Sequence, residues 1–110
     1  MGYLKPFRFA VSAHKAASKD EWVAKARRIE QLGYSTLIIP DHLDHLIEQF
    51  APLPALMAAA DATTSLRVGS YVFNNDFRHP VILAKEIATL DVLSGGRFEL
   101  GFGAGYMSSE

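Results

Sequence analysis

The sequence contains no cysteine, a single tryptophan and no long hydrophobic run. Without cysteine, the chain can form neither a disulfide bond nor a thiolate metal site, which is typical of a cytoplasmic protein. No apolar segment approaches the roughly 20 residues that a membrane-spanning helix needs. The first residues also lack the apolar core of a signal peptide. These absences predict a soluble cytoplasmic protein with no membrane partner.

An excess of charge of one sign is missing as well. Eleven Lys and Arg residues oppose 12 Asp and Glu residues, which leaves a formal net charge of −1. Nucleic-acid binding needs clustered basic residues, so we expect a small-molecule substrate and no nucleic-acid partner. At 110 residues, the chain can bury a core but holds one domain at most.

Short apolar runs alternate with helical patterns along the whole chain. The apolar runs cover 7–11, 35–39, 66–73 and 97–102. Each run and the helix after it span roughly 30 residues, the length of a parallel crossover unit. The pattern predicts an α/β fold with four parallel strands joined by three crossover helices.

The helices between these runs have recognisable start and stop signals. Ser18 and Glu21 form a capping box before the first helix, and Gly33 ends it where a left-handed residue is wanted. Pro54 and Pro80 are suited to the first turns of the second and third helices.

Four strands are half of a (β/α)8 TIM barrel, which usually has about 250 residues. We therefore expect residues 1–110 to form a partial TIM-barrel domain, the N-terminal half, truncated after the fourth strand. A half barrel leaves two bare strand edges, and bare edges pair with other chains. The chain is expected to be a fragment of a longer protein, a homo-oligomer, or both.

Polar residues follow each apolar run, at the rim where parallel barrels build their active sites. Asp41-His42 is the strongest of these signals, because a histidine titrates near neutral pH and is suited to move a proton. The structural alternative is that Asp41 caps a turn and His42 fills space. His42, His45 and Glu48 also have a spacing that permits a metal site, though zinc sites need a further orienting shell.

The other strand ends permit both functional and structural interpretations. Asn74 offers donors and acceptors to a heteroaromatic edge, whereas Asn75 and Asp76 are typical of a turn. Glycines alternate through 101–105, and their backbone could approach a phosphate. The segment 78–80 permits an anion contact at a helix N-terminus, but we interpret it as a loop that begins a helix at its proline.

Four stretches of the chain, in order, resemble the luciferase-like monooxygenase family, most nearly the branch that uses the deazaflavin coenzyme F-420 (F420). They read GYSTLIIPDH at 33–42, LRVGSYVFN at 66–74, RHPVILAK at 78–85 and LSGGRFELGFGAGY at 93–106. The resemblance implies a TIM barrel that binds an isoalloxazine-type ring at the carboxyl ends of its strands. The implied cofactor is F420, with flavin mononucleotide (FMN) as the alternative.

The resemblance also implies roles for single residues. Asp41 and His42 match a pair beside the ring, and His42 matches the general base of some deazaflavin members. Tyr71 and Val72 match a non-prolyl cis peptide behind the ring, although Ser70-Tyr71 is a second possible position for it. Asn74 matches a contact to the pyrimidine edge.

A last cofactor contact implied by the resemblance is the turn near the phosphate, matched by Ala104, Gly105 and Tyr106. The implied activity is hydride transfer between a small organic substrate and the cofactor, an oxidoreductase or monooxygenase reaction. Two alternatives stay open. One is a catalytically silent partial barrel that self-associates. The other is a metal-dependent barrel hydrolase that uses Asp41, His42 and His45.

Overall fold

The computed structural model describes residues 5–44, 48–105 and 108. Its main sheet has four parallel strands in the order β1-β2-β3-β5, and a second pair joins β4 to β6, also in parallel. The strands are β1 (Ala10–Ser12), β2 (Thr36–Ile39), β3 (Arg67–Ser70), β4 (Phe73–Asn74), β5 (Phe98–Glu99) and β6 (Phe102–Gly103). The helices are α1 (Lys19–Gln31), α2 (Pro52–Asp61) and α3 (Pro80–Leu93). The predicted α/β fold with four parallel strands and three helices is confirmed.

The two faces of the main sheet differ in what covers them. Val11, Leu37, Val68 and Phe98 stand level across the four strands, and they pack into one core with residues of all three helices. Adjacent residues of a strand point to opposite faces. The alternate residues, such as Glu99, therefore lie on the helix-free face of the sheet.

The first two helices pack against each other around the only tryptophan. Trp22 is buried, and its Nε1 donates a hydrogen bond to the carbonyl of Ala55 in α2 at 2.9 Å. The Phe50 ring meets the Trp22 ring edge-on, with 5.3 Å between the centroids. No helix in the described ranges is long and apolar enough to cross a membrane.

The start and stop signals that the sequence gives for the helices are confirmed. The Ser18 side chain accepts from the Glu21 N–H at 3.1 Å, Gly33 has φ 89°, and Pro80 begins α3. The second helix was predicted to begin near Pro54, and it begins at Pro52, so that both prolines lie in its first turn. Backbone N–H groups in the first turn have no partner within the helix, so a proline, which lacks this group, is suited to either position.

The third and fourth apolar runs were each predicted as one strand, although the resemblance also implied a cis peptide within the third. Each run is interrupted, so that β3 and β4 share one run and β5 and β6 share the other. The interruption in the third run is a cis peptide bond between Tyr71 and Val72. The first run, predicted over 7–11, forms a shorter strand that lies nearer its carboxyl end, Ala10–Ser12.

The loop that leads into β3 is tied to α1 by one carboxylate. Glu30 Oε2 accepts hydrogen bonds from the backbone N–H groups of Thr64, Ser65 and Leu66 at 2.8 to 3.0 Å. Burial acts to raise the pKa of Glu30, but these hydrogen bonds outweigh it and hold the pKa below its usual value. The ionised form of Glu30 therefore stabilises the start of β3.

Replacing Glu30 with Gln is expected to lower the free energy of unfolding by about 1–2 kcal/mol at pH 7, because a charged acceptor is lost from three N–H groups. A pKa that is lowered by folding adds stability above its unfolded value of about 4.3, and this stability is lost as the pH falls through the folded value. Urea unfolding from pH 7 to pH 3 measures both effects. Equal stabilities of Glu30→Gln and the native chain at pH 7 would contradict this role.

Candidate functional site

A cavity of about 550 Å³ opens where β2, β4 and β6 end. Residues from three of the predicted strand ends line it together. They are Asp41, His42, Tyr71, Val72, Asn74, Gly103, Ala104 and Gly105. The structure thus brings together all the predicted site residues that it describes. Tyr106, the remaining predicted contact, lies outside the described residues.

Asp41 is held by an ion pair that crosses the rim. Arg78 donates from Nη1 to Asp41 Oδ2 at 2.5 Å and from Nη2 to Oδ1 at 2.9 Å. The backbone N–H of Asn74 donates to the same Oδ2 at 2.8 Å. Because Asp41 is only 4% exposed, this carboxylate is a buried charge that needs its partner.

The sequence interpretation of Arg78 as a plain loop residue missed this contact. Its guanidinium also lies 4.9 Å from the centroid of the Phe73 ring, a favourable cation–π arrangement. Arg78 therefore joins the end of β2 to the residues just before α3. The available signal was Asp41 itself, since a carboxylate after a buried strand needs a cation nearby.

The backbone beside Asp41 is held by a side-chain amide. The backbone N–H of His42 donates to Gln49 Oε1 at 3.0 Å, and Gln49 Nε2 donates to the carbonyls of Pro40 at 2.7 Å and Phe50 at 3.0 Å. His42 is half-buried at the cavity. Sequence reasoning also missed Gln49, and no spacing rule marks an amide that bonds only to nearby backbone.

Asn74 takes part in a turn and also lines the cavity, as both interpretations of the sequence predicted. Its Oδ1 accepts from the Asp76 N–H at 2.8 Å, which is the expected turn. Its Nδ2 has no hydrogen-bond partner among the described residues, and no fully buried side-chain nitrogen or oxygen in this part of the chain is unpaired. The amide NH₂ group therefore has donors available at the cavity.

The alternating glycines pack closely against the site residues of the neighbouring run. A Cβ added at Gly103 would lie 2.6 Å from Val72 Cγ2, and one at Gly105 would lie 2.5 Å from Asn74 Nδ2. Either side chain would have to move to make room for a Cβ, and Gly105 also has φ 82°, in the left-handed region that favours glycine. The glycines thus let the fourth run pack closely against the site residues of the third run. This packing does not depend on a phosphate being bound.

The third run contributes an apolar wall to the cavity. The cis peptide expected at Tyr71–Val72 is confirmed, and the alternative position at Ser70–Tyr71 is not used. Tyr71 is 71% exposed and Val72 is 37% exposed. A large apolar surface that faces a cavity rather than the core is typical of a ligand-binding site.

Of the residues of the metal alternative, Asp41 and His42 both line the cavity. Glu48 pairs with Lys15 Nζ at 2.8 Å, and His45 lies outside the described residues. Within the ranges that the structure covers, no group of three or more His, Asp or Glu side chains could hold a metal ion.

Comparisons with known proteins agree on one family. The family model for luciferase-like monooxygenases matches residues 1–110. The F420-dependent glucose-6-phosphate dehydrogenase of Beutenbergia cavernae is 34% identical over 107 residues, which cover 93% of this chain and 32% of that protein. The chain spans roughly a fifth to a third of the length of the curated relatives it matches.

Solved structures of this family have the same fold. The coenzyme F420-dependent tetrahydromethanopterin reductase of Methanopyrus kandleri superposes with a TM-score of 0.78 and 29% identity, over 90% of this chain and 27% of that one. The FMN complex of the oxygenating constituent of 3,6-diketocamphane monooxygenase from Pseudomonas putida gives a TM-score of 0.83 at 23% identity, over 94% and 31%. The predicted TIM-barrel class is confirmed, with this chain matching about a third of each barrel.

Replacing Arg78 with Ala is expected to lower the free energy of unfolding by about 3–5 kcal/mol, because it leaves the buried Asp41 carboxylate without its cation. Urea unfolding measures the change. Arg28→Ala removes an exposed arginine from α1 and serves as the control. If both variants lose the same small amount, the Asp41–Arg78 pair does not stabilise the rim.

Proposed function

The chain belongs to the luciferase-like monooxygenase family, and we propose that it forms part of the cofactor site of an oxidoreductase. The proposed reaction is hydride transfer between a small organic substrate and a bound deazaflavin, with FMN as the alternative cofactor. The observation that carries the proposal is the cavity at the carboxyl rim, where three strand ends meet around one apolar wall.

The side chains around this cavity fit a planar heteroaromatic ring. Val72 and Tyr71 offer exposed apolar surface to the cavity, and Asn74 Nδ2 offers donors to it. A ring with polar edges needs both features, since its faces exclude water while its carbonyl groups accept hydrogen bonds. Gly103 and Gly105 leave the backbone beside this wall free of side chains.

We assign the residues as follows. Tyr71 and Val72 support one face of the ring, and Asn74 binds its polar edge. Ala104 and Gly105 line the end of the cavity where a phosphate-bearing tail would leave it. When bound, the cofactor supplies the two-electron redox chemistry, while the protein binds and orients it.

We assign His42 the role of moving the substrate proton. It lies at the cavity beside Asp41, whose two oxygens already accept hydrogen bonds from Arg78 and the Asn74 backbone. Because these hydrogen bonds hold Asp41 in the rim, we assign it an indirect role in cofactor binding. It positions Asn74 and His42 at the cavity. Histidine is suited to proton transfer near neutral pH.

We favour F420 over FMN as the cofactor because relatives of this chain depend on F420. Two of the reported relatives carry F420 dependence in their names, and both are more than 25% identical to this chain. The FMN-bound structure is 23% identical, a level of similarity that supports the fold alone.

Replacing Val72 with Asp is expected to weaken cofactor binding at least tenfold, because a carboxylate would take the place of the apolar support for the ring. Binding is measured by titrating the chain with F420 and, separately, with FMN, and following cofactor fluorescence. Val92→Asp places the same charge on an exposed position of α3 and should bind like the native chain. If the native chain perturbs neither cofactor, the chain is the silent partial barrel instead.

Replacing His42 with Ala is expected to lower turnover by about 100-fold or more, as for a lost general base, with less than about a threefold change in cofactor Kd. Turnover is followed as the change in cofactor absorbance, with glucose 6-phosphate, the substrate in a relative's name, as the first substrate. His14→Ala, at the rim but outside the cavity lining, is the matched control. Equal turnover of the two variants removes His42 from the proposed role.

A further inference from the structure

The third and fourth runs differ in length where they pass from the main sheet to the second strand pair. Gly69 pairs with Glu99 in the main sheet, and Phe73 pairs with Phe102 in the second pair. The third run takes four steps between these two pairings, whereas the fourth run takes three. A strand with one extra residue forms a β-bulge, here at 70–72, and bulges change where side chains point and are common beside active sites.

The Ser70 side chain bridges the two runs at this bulge. Its Oγ donates to the carbonyl of Gly101 at 2.8 Å and accepts from the Gly101 N–H at 2.9 Å. The same carbonyl accepts from the Phe73 N–H at 2.8 Å. The Gly101 backbone is therefore held by Ser70 at the start of the bulge and by Phe73 just past its end.

Val72, in the apolar wall of the cavity, lies against this part of the fourth run. A Cβ added at Gly101 would lie 3.1 Å from Val72 Cγ1, and one added at Gly103 would lie 2.6 Å from Val72 Cγ2. Both methyl groups of Val72 thus lie close to glycine backbone. Because Ser70 holds Gly101, it also holds the surface against which one of these methyl groups packs.

Ser70 itself is separated from a ligand in the cavity. Its side chain is buried, with 5% of the residue exposed, and Ser70 is not among the described residues that line the cavity. We propose that Ser70 is a positioning residue for the cofactor, because its hydroxyl holds the Gly101 backbone against which Val72 packs. This inference rests on the proposed function, in which Val72 supports one face of the ring.

The cofactor affinity of Ser70→Ala tests the proposal. The substitution removes both hydrogen bonds to Gly101, and the Kd for F420 and for FMN is followed by cofactor fluorescence. The Kd of the cofactor that the native chain binds is expected to rise about fivefold or more, which corresponds to the net free energy of one hydrogen bond.

Ser94→Ala is the matched control. Ser94 is 2% exposed, and its Oγ also donates to a carbonyl, that of Asp91, and accepts from an N–H, that of Arg97. It caps the end of α3 and is not among the described residues that line the cavity, so its loss should change Kd less than about twofold. Urea unfolding measures the stability that each variant loses, and binding is measured where both are fully folded. A Kd that Ser70→Ala leaves unchanged, or that Ser94→Ala raises equally, would overturn the proposal.

A measurement without cofactor separates this inference from the proposed function. The methyl signals of Val72 in carbon–proton NMR spectra are expected to shift in Ser70→Ala and to keep their positions in Ser94→Ala. If the native chain binds neither F420 nor FMN, the proposed function fails, and these signals still decide whether Ser70 holds Val72. Unshifted Val72 signals in Ser70→Ala would overturn the positioning role.

Discussion

The ion pair between Asp41 and Arg78 is the constraint on which the rim depends. Asp41 follows β2, Arg78 precedes α3, and the Asn74 backbone between them donates to the same carboxylate. A buried charge is tolerated only when its partners are in place, so this contact sets how the ends of two strands lie relative to each other. His42 is adjacent in sequence and takes its position from the same loop, which Gln49 holds from the other side.

The apolar wall of the cavity depends in turn on two strands approaching closely. The cis peptide at Tyr71–Val72 interrupts the third run. Glycines in the fourth run leave room for the side chains of the third run that lie against them. Gly103 faces Val72 and Gly105 faces Asn74 at distances that would force the neighbouring side chain to move if either glycine were replaced. The glycine series in this chain is therefore explained by packing between strands, and its backbone is still available to a ligand.

Several elements could be predicted from local chemistry, and others could not. The Ser18 cap, the left-handed Gly33 and the start of α3 at Pro80 follow from single residues and their neighbours. The interruption of the third and fourth runs does not, because an apolar run has the same appearance whether its strand is continuous or broken. The residues that line the cavity were found at strand ends, but the contact from Arg78 joins residues 37 positions apart. Asp41 indicates that a cation is needed nearby, but no local pattern indicates which one.

The sequence by itself determined the fold class, the helix boundaries to within a few residues and the strand ends that form the site, since these depend on periodicity and on backbone preferences within a few residues. Its motifs also indicated the family. Only the tertiary structure decided what each polar residue does. Asp41 belongs to an ion pair, Asn74 divides its amide between a turn and the cavity, and Glu99 is shared by two arginines. Those roles depend on which side chains long-range folding brings within hydrogen-bond distance, and charge and packing then select among the interactions that the sequence alone permits.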